Sequence, residues 1–211
     1  MGDTEPNNAS KLEPLQEVAT IAAGNAATAL SKLIGQDVVV TVPTVRLAAV
    51  EKILSEAGET ASVSAVALVK ITGDAHGLML FTLNPSDAQD VATGTIHQQT
   101  TSAFADQDQA VLKEMINIVS GAALNAIAKF LGLSLLPTVP ASTTDMLGAV
   151  LDPFIAEFGA SFEAVLLLQE VFTLPSNGMS LKFLAIIDPP STDTMLQKIN
   201  EKVHGGYTAN H

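Results

Sequence analysis

The chain has no cysteine and no tryptophan, and aromatic residues make up only 4% of its 211 positions. Without thiols there is no disulfide, no thiolate nucleophile and no cysteine-ligated zinc, which fits a reducing compartment. Without large rings the core must be built from Ala, Leu, Val and Ile, and an apolar content of 47% supplies them. Positive charge is equally scarce. Ten Lys and Arg stand against 22 Asp and Glu, for a formal net charge of −12. No basic cluster exists to neutralise phosphates, which argues against nucleic acid and leaves soluble proteins as partners. No run of 18 apolar residues occurs, since Lys70, Asp74 and His76 break one stretch and Glu163 and Glu170 another. The opening MGDTEPNN lacks a basic start and an apolar run, and Pro6 stands where a myristoylation motif wants Ser or Thr. The expectation is a soluble, cytoplasmic protein. His76, His97, His204 and His211 lack ligand spacing, so no metal site is expected. No strand–Gly-x-Ser-x-Gly–helix unit marks a hydrolase triad.

What is present is organised around Asp106 to Pro140, which reads as a long helix, a glycine stop and a strand ending in proline. At 100° per residue, Ala110, Glu114, Asn117, Gly121, Asn125 and Ala128 share one stripe. Met115, Ile116, Val119, Ala123, Ala126, Ile127 and Phe130 form the face expected to be buried. Glu114 and Asn117 are thus an acid and an amide set side by side on a stripe that packing does not need. They are the candidate site.

The same pattern occurs 97 positions earlier. Glu17 matches Glu114, Gly24 matches Gly121, Gly35 matches Gly132, and Thr41-Val42-Pro43 matches Thr138-Val139-Pro140. About ten positions between Glu17 and Pro43 are identical in the second copy, which reads as a duplicated half-domain. Glu13, Glu17 and Thr20 are the first-copy site positions, with Thr20 where the second copy has Asn117. Gly24 and Gly121 read as packing glycines that let two helices approach, with access for a partner's backbone as the alternative. Pro43 and Pro140 read as strand terminators.

Each half has the order helix, strand, short variable element, hairpin, helix. Residues 1–9 are expected to be disordered, followed by a capping box at Ser10-Lys11-Leu12-Glu13 with Ser10 as N-cap. The first helix runs to about Leu33, and Val38 to Val42 reads as a strand. Arg46 to Ala57 is open between a short helix and an irregular strand. Ser62–Thr72 and Gly77–Leu83 form a hairpin, and Asn84-Pro85 opens a helix. In the second half a segment from Asp145 to Phe158 precedes strands Ser161–Leu174 and Ser180–Asp188, and Asp188-Pro189 opens a helix to about Val203. The offset there is 104, so an insertion of about seven residues is expected between Pro140 and Glu163. The expected fold is α+β: a single domain over 10–204, with repeat one about 10–97 and repeat two about 106–204. The two repeats are related by a pseudo-twofold axis and share one β-sheet covered by two long helices. Residues 205–211 are expected to be a loose tail. Such a pooled sheet is self-sufficient, so a monomer is expected.

Ala22 to Pro43, AAGNAATALSKLIGQDVVVTVP, resembles the first repeat of the CheC-type chemotaxis phosphatases, the family of CheC, CheX and the flagellar-switch phosphatase FliY, and is most like its CheC members. The plan from about Ser10 to Val203 fits that family. Its site motif is Asp or Ser, three residues, Glu, two residues, Asn, then Pro after twenty-two more. Glu114, Asn117 and Pro140 satisfy it, and Glu17 and Pro43 satisfy the first copy. The resemblance implies hydrolysis of the phospho-aspartate of a CheY-type response regulator. Asn117 would hold the attacking water and Glu114 would pair with the receiver's lysine. The receiver would supply Mg²⁺, so no cofactor of the chain's own is implied. Ala110 departs from the Asp or Ser of the motif, whereas Glu13 fills that place in the first copy. Thr20 departs from Asn, which makes the Glu13, Glu17, Thr20 site the weaker one. The alternatives are a non-catalytic adaptor that binds a response regulator or the receptor deamidase CheD, and a scaffold piece like the flagellar-switch protein FliM.

Overall fold

A computed structural model of the chain describes residues 6–96 and 104–205. Helix α1 (Pro6–Ile34) starts with proline in its first position, where the missing N–H is not needed. The helix therefore begins before the expected capping box: Ser10 lies inside it rather than at its cap, and residues 6–9 are helical, not disordered. Residues 1–5 and 206–211, the rest of the expected loose ends, lie outside the described residues, as do His97 and His211. Gly35 (φ 68°) ends α1, and Gly132 (φ 71°) ends α4 (Phe104–Leu131) in the same left-handed conformation. Each donates its amide back to the helix, to Ser31 O at 2.9 Å and Ala128 O at 2.8 Å.

The two long helices begin two equivalent series. After α1 come β1 (Val39–Val40), β2 (Thr44–Ala49), a 3₁₀ turn at Val50–Lys52, α2 (Ile53–Ala57), the hairpin β3 (Val63–Gly73) and β4 (Gly77–Leu83), and α3 (Pro85–Ile96). After α4 come β5 (Leu135–Pro137), β6 (Ala141–Met146), α5 (Leu147–Gly159), the hairpin β7 (Ala164–Thr173) and β8 (Ser180–Ile187), and α6 (Pro189–Gly205). The ambiguous stretch Arg46 to Ala57 is thus both things, a strand and then a helix.

All strands join one antiparallel sheet in the order β1-β7-β8-β4-β3-β5, with β2 also on β7 and β6 also on β3. Each half therefore lends its short strands to the other half's hairpin. At the centre Leu80 of β4 faces Leu184 of β8, two positions equivalent at the offset of 104. The expected seven-residue insertion is divided. Met146 pairs with Val63 as Ala49 pairs with Ala164, which makes the hairpin offset 101 against 97 for the short strands. So four extra residues lengthen α5, and the remaining three enlarge the β7–β8 turn, Leu174–Met179 against Asp74–His76.

The expected strand Val38–Val42 is only Val39–Val40, because Pro43 does not close a strand but sits in a β-bulge. Val40 pairs with Phe172 and Thr44 with Gln169, so one edge advances four residues while β7 advances three. Pro137 pairs with Ile71 and Ala141 with Leu68, the same slip around Pro140. Thr41 and Thr138 pin these bulges alike. Thr138 N donates to Lys70 O and its hydroxyl accepts from Lys70 N, both at 3.0 Å; Thr41 does the same with Val171 at 3.0 and 2.9 Å.

One face of the sheet carries α1, α3, α4 and α6 over Met79, Phe81, Leu166, Phe172 and Leu181. The other face carries α2 and α5 over Val66, Leu80, Val165, Leu167 and Ile186. Small residues (Ala19, Ala22, Ala23, Ala26) let α1 pack closely against the sheet and α4. Residues Ala110–Leu131 of α4 are long and apolar enough to cross a membrane by length and composition. Here they form a core helix, with Leu112, Met115, Ile116, Val119 and Leu124 buried.

Candidate functional site

The expected buried side of α4 is buried at Met115, Ile116, Val119 and Ala123, and half-buried at Ala126, Ile127 and Phe130. That fixes the helix in rotation and turns Ala110, Glu114, Asn117 and Asn125 out to solvent. Glu114 and Asn117 lie one turn apart on this exposed surface, and among the described residues neither side chain has a hydrogen-bond or ion-pair partner. The turn that carries them is backed by buried residues. Ile116 is fully buried, and so is Ser120, whose hydroxyl donates to Asn117 O at 3.3 Å.

On α1, Glu13, Glu17 and Thr20 are likewise exposed. The difference lies in the third position. Thr20 Oγ1 donates to Gln16 O at 2.8 Å, so its one proton is used within the helix. Asn117 keeps two donors and an acceptor free. The two copies thus place their site residues equivalently but not with equal hydrogen-bonding capacity.

The glycines on these stripes are not packing glycines. A Cβ added at Gly24 or Gly121 would meet no atom within 4 Å, so neither lets another helix approach. The close contact of α1 with α4 is made by other positions, on the faces turned toward the core.

Three features had no signal in the sequence. Glu170 on β7 is 8% exposed, and burial pushes its carboxyl up to about 8. It lines a small cavity with Ala19, Ala22, Pro43 and Phe183, none of them charged. Arg46, Glu56 and Gln169 form a polar cluster that ties α2 to the sheet: Arg46 Nη2 bonds the Glu56 carboxylate and Gln169 Oε1, the latter at 2.6 Å. A cleft of about 290 Å³ opens on the opposite sheet face beside Lys70, Phe154, Glu157, Phe158 and Phe162. Each depends on side chains brought from distant parts of the chain. None includes Glu114 or Asn117.

Residues 15–47, which include Glu17, Thr20 and the bulge at Pro43 but not Glu13, match the CheC-like family. Over 187 residues the chain is 26% identical to the CheY-P phosphatase CheC of Bacillus subtilis, covering 82% of this chain and 84% of that protein. The chain resembles the CheC-like family. Its fold agrees with that resemblance. The crystal structure of Thermotoga maritima FliY superposes with a TM-score of 0.72 at 20% identity, over 95% of this chain and all of that one. CheX in the CheX–CheY–BeF₃–Mg²⁺ complex from Borrelia burgdorferi superposes with a TM-score of 0.54 at 16% identity, over 84% of this chain and 97% of that one. The expected α+β class with a shared sheet under two long helices is the fold observed.

Proposed function

We propose that this CheC-like chain hydrolyses the phospho-aspartate of a CheY-type response regulator. The observation that carries the reading is the pair Glu114 and Asn117, exposed, without a side-chain partner among the described residues and held on a buried-backed helix. An acyl phosphate is already reactive, and the missing part is a water held in line with the scissile bond. The Asn117 carboxamide accepts from that water and donates to the phosphoryl oxygens without needing a pKa near neutral. The water oxygen forms the new bond to phosphorus, the bond to the aspartate oxygen breaks, and the carboxylate leaves with inorganic phosphate as product. Glu114 pairs with the receiver's lysine and sets the docking register. Mg²⁺ comes with the receiver and neutralises phosphoryl charge, and this chain supplies no cofactor. Positioning one water through one amide supplies a few kcal/mol of barrier, on the order of 10²–10³ in rate.

Two relatives support the reading: the Bacillus subtilis protein is named a CheY-P phosphatase, and the CheX neighbour was crystallised with CheY. The α1 site is the weak one, because Thr20 has spent its proton on Gln16 O. Decay of acyl phosphate on a CheY-type receiver, with catalytic amounts of this chain, tests the proposal. Acceleration by wild type that is lost in Asn117→Ala supports it. Binding without acceleration would make the chain an adaptor for the receiver, and the Ala110 departure would be the first suspect.

A further inference from the structure

The sheet face that carries α2 and α5 is covered unequally. Four extra residues lengthen α5, whereas α2 stops at Gly58, which takes a φ of 123°. At the offset of 104, Lys182 of β8 is equivalent to Leu78 of β4. Leu78 is buried in the core against which Phe154 and Phe158 of α5 pack, while Lys182 is exposed. At the end of α2 the sheet lies open in a cleft of about 420 Å³, within the size range of small-molecule sites.

The floor of this cleft is a grid set by the register of β7, β8 and β4. One row is Val171, Lys182 and Thr82, and the next is Gln169, Leu184 and Leu80, each residue directly opposite its neighbour. Opposite residues of an antiparallel pair put their side chains on one face, about 5 Å apart. An ammonium and a hydroxyl therefore stand side by side, about 7 Å along the strands from two buried leucines.

The polar groups of the cleft are not equally available. Glu56, on the wall, gives its carboxylate to Arg46. Gln169 is held at both ends, accepting from Arg46 Nη2 and donating to Glu56 O, each at 2.6 Å. Thr82 is only 6% exposed, and among the described residues its hydroxyl has no hydrogen-bond partner. Lys182 has no ion-pair partner among them either. An unpaired buried hydroxyl is costly, and an acceptor placed in the cleft relieves it.

We infer that this cleft binds a small monocarboxylic acid with an apolar body. Lys182 and Thr82 hold its carboxylate, and the body lies on Leu184 and Leu80. The unpaired charge of the cleft is a single cation, which matches one carboxylate. A polyphosphate would need more cations, and Arg46 is already committed to Glu56. An amine would meet Lys182. The site lies on the sheet face away from α1 and α4, and it does not depend on the proposed phosphatase reading.

The test is titration of the full chain with hexanoate and 4-phenylbutyrate, followed by amide chemical shifts. The uncharged 4-phenylbutyramide and the cationic 4-phenylbutylamine are the comparison probes. Saturable shifts are expected at Thr82, Lys182 and Leu184, with 4-phenylbutyrate binding about tenfold tighter than its amide and the amine not binding. Lys182→Met should weaken both acids about tenfold and bring acid and amide level. Thr82→Val should weaken the acids by a smaller factor. Both variants should melt no lower than wild type, which separates loss of the site from loss of the fold. No saturable shift with either acid, equal binding of acid and amide by wild type, or wild-type affinity in Lys182→Met overturns the inference. Shifts confined to the cleft beside Lys70 and Phe154 also overturn it, in favour of that aromatic cleft.

Discussion

Asn117 and Thr20 occupy equivalent places on two helices and differ in what their polar atoms are free to do. One keeps a whole carboxamide without a partner among the described residues; the other returns its only proton to Gln16 O. Asn117→Ala on this exposed surface should change stability by less than about 0.5 kcal/mol while removing most of the rate acceleration, a pairing of melting curve and decay assay that separates chemistry from fold. Glu170 makes the opposite kind of prediction, about stability and not activity. Its carboxyl titrates at 4.5 when unfolded and about 8 when folded, because burial disfavours the charge. Between those values the folded chain holds a proton that the unfolded chain gives up, so this group's stabilisation falls as pH rises through that window and levels off above it. Glu170→Gln should remove that slope, read from denaturant curves at pH 5 and pH 7. Parallel pH profiles for the two proteins would contradict the assignment.

At the scale of elements, glycines that look alike in sequence separate by position. Gly132 takes a left-handed φ of 71° at the end of α4, so Gly132→Ala should cost about 1 kcal/mol. Gly121→Ala, in mid-helix with open space around it, should stabilise by a similar amount. Thermal melts of the two variants give the comparison, and equal signs would count against it. The polar stripes, the glycine stops and the two hairpins were legible because they depend on near neighbours in the chain, through the helical period and turn chemistry. The bulges were not. Val40 and Thr44 pair with Phe172 and Gln169, more than 120 positions away, so nothing local marks the slip between β1 and β2. The helical phase put Gly24 and Gly121 on the outward stripe, but whether anything packed there was a tertiary fact. The candidate pair was marked in the sequence because its acid recurs as Glu17 in register with a distant proline, although Thr20 stands in place of the amide. The capacity of each copy was only half legible, since the bond from Thr20 to Gln16 O is a rotamer choice.

For the molecule as a whole, the exchange of short strands has a thermodynamic consequence. β2 lies on β7 and β6 lies on β3, so neither half can complete its own sheet edge or bury its own helix alone. Unfolding should therefore be one cooperative transition, with far-UV circular dichroism and denaturant-induced exposure of the core coinciding, and residues 1–103 alone should not fold. Two separable transitions would mean that the halves are independent domains. The same exchange places the two site helices side by side on one face of the sheet, one with a free carboxamide and one without. If a single amide, Asn117, carries the proposed hydrolysis, acyl-phosphate decay on a CheY-type receiver reads it out. Catalytic amounts of wild type should accelerate the decay, Asn117→Ala should lose about 10²-fold or more of that acceleration, and Thr20→Asn should gain as the second site acquires the missing group. Full acceleration by Asn117→Ala would contradict it.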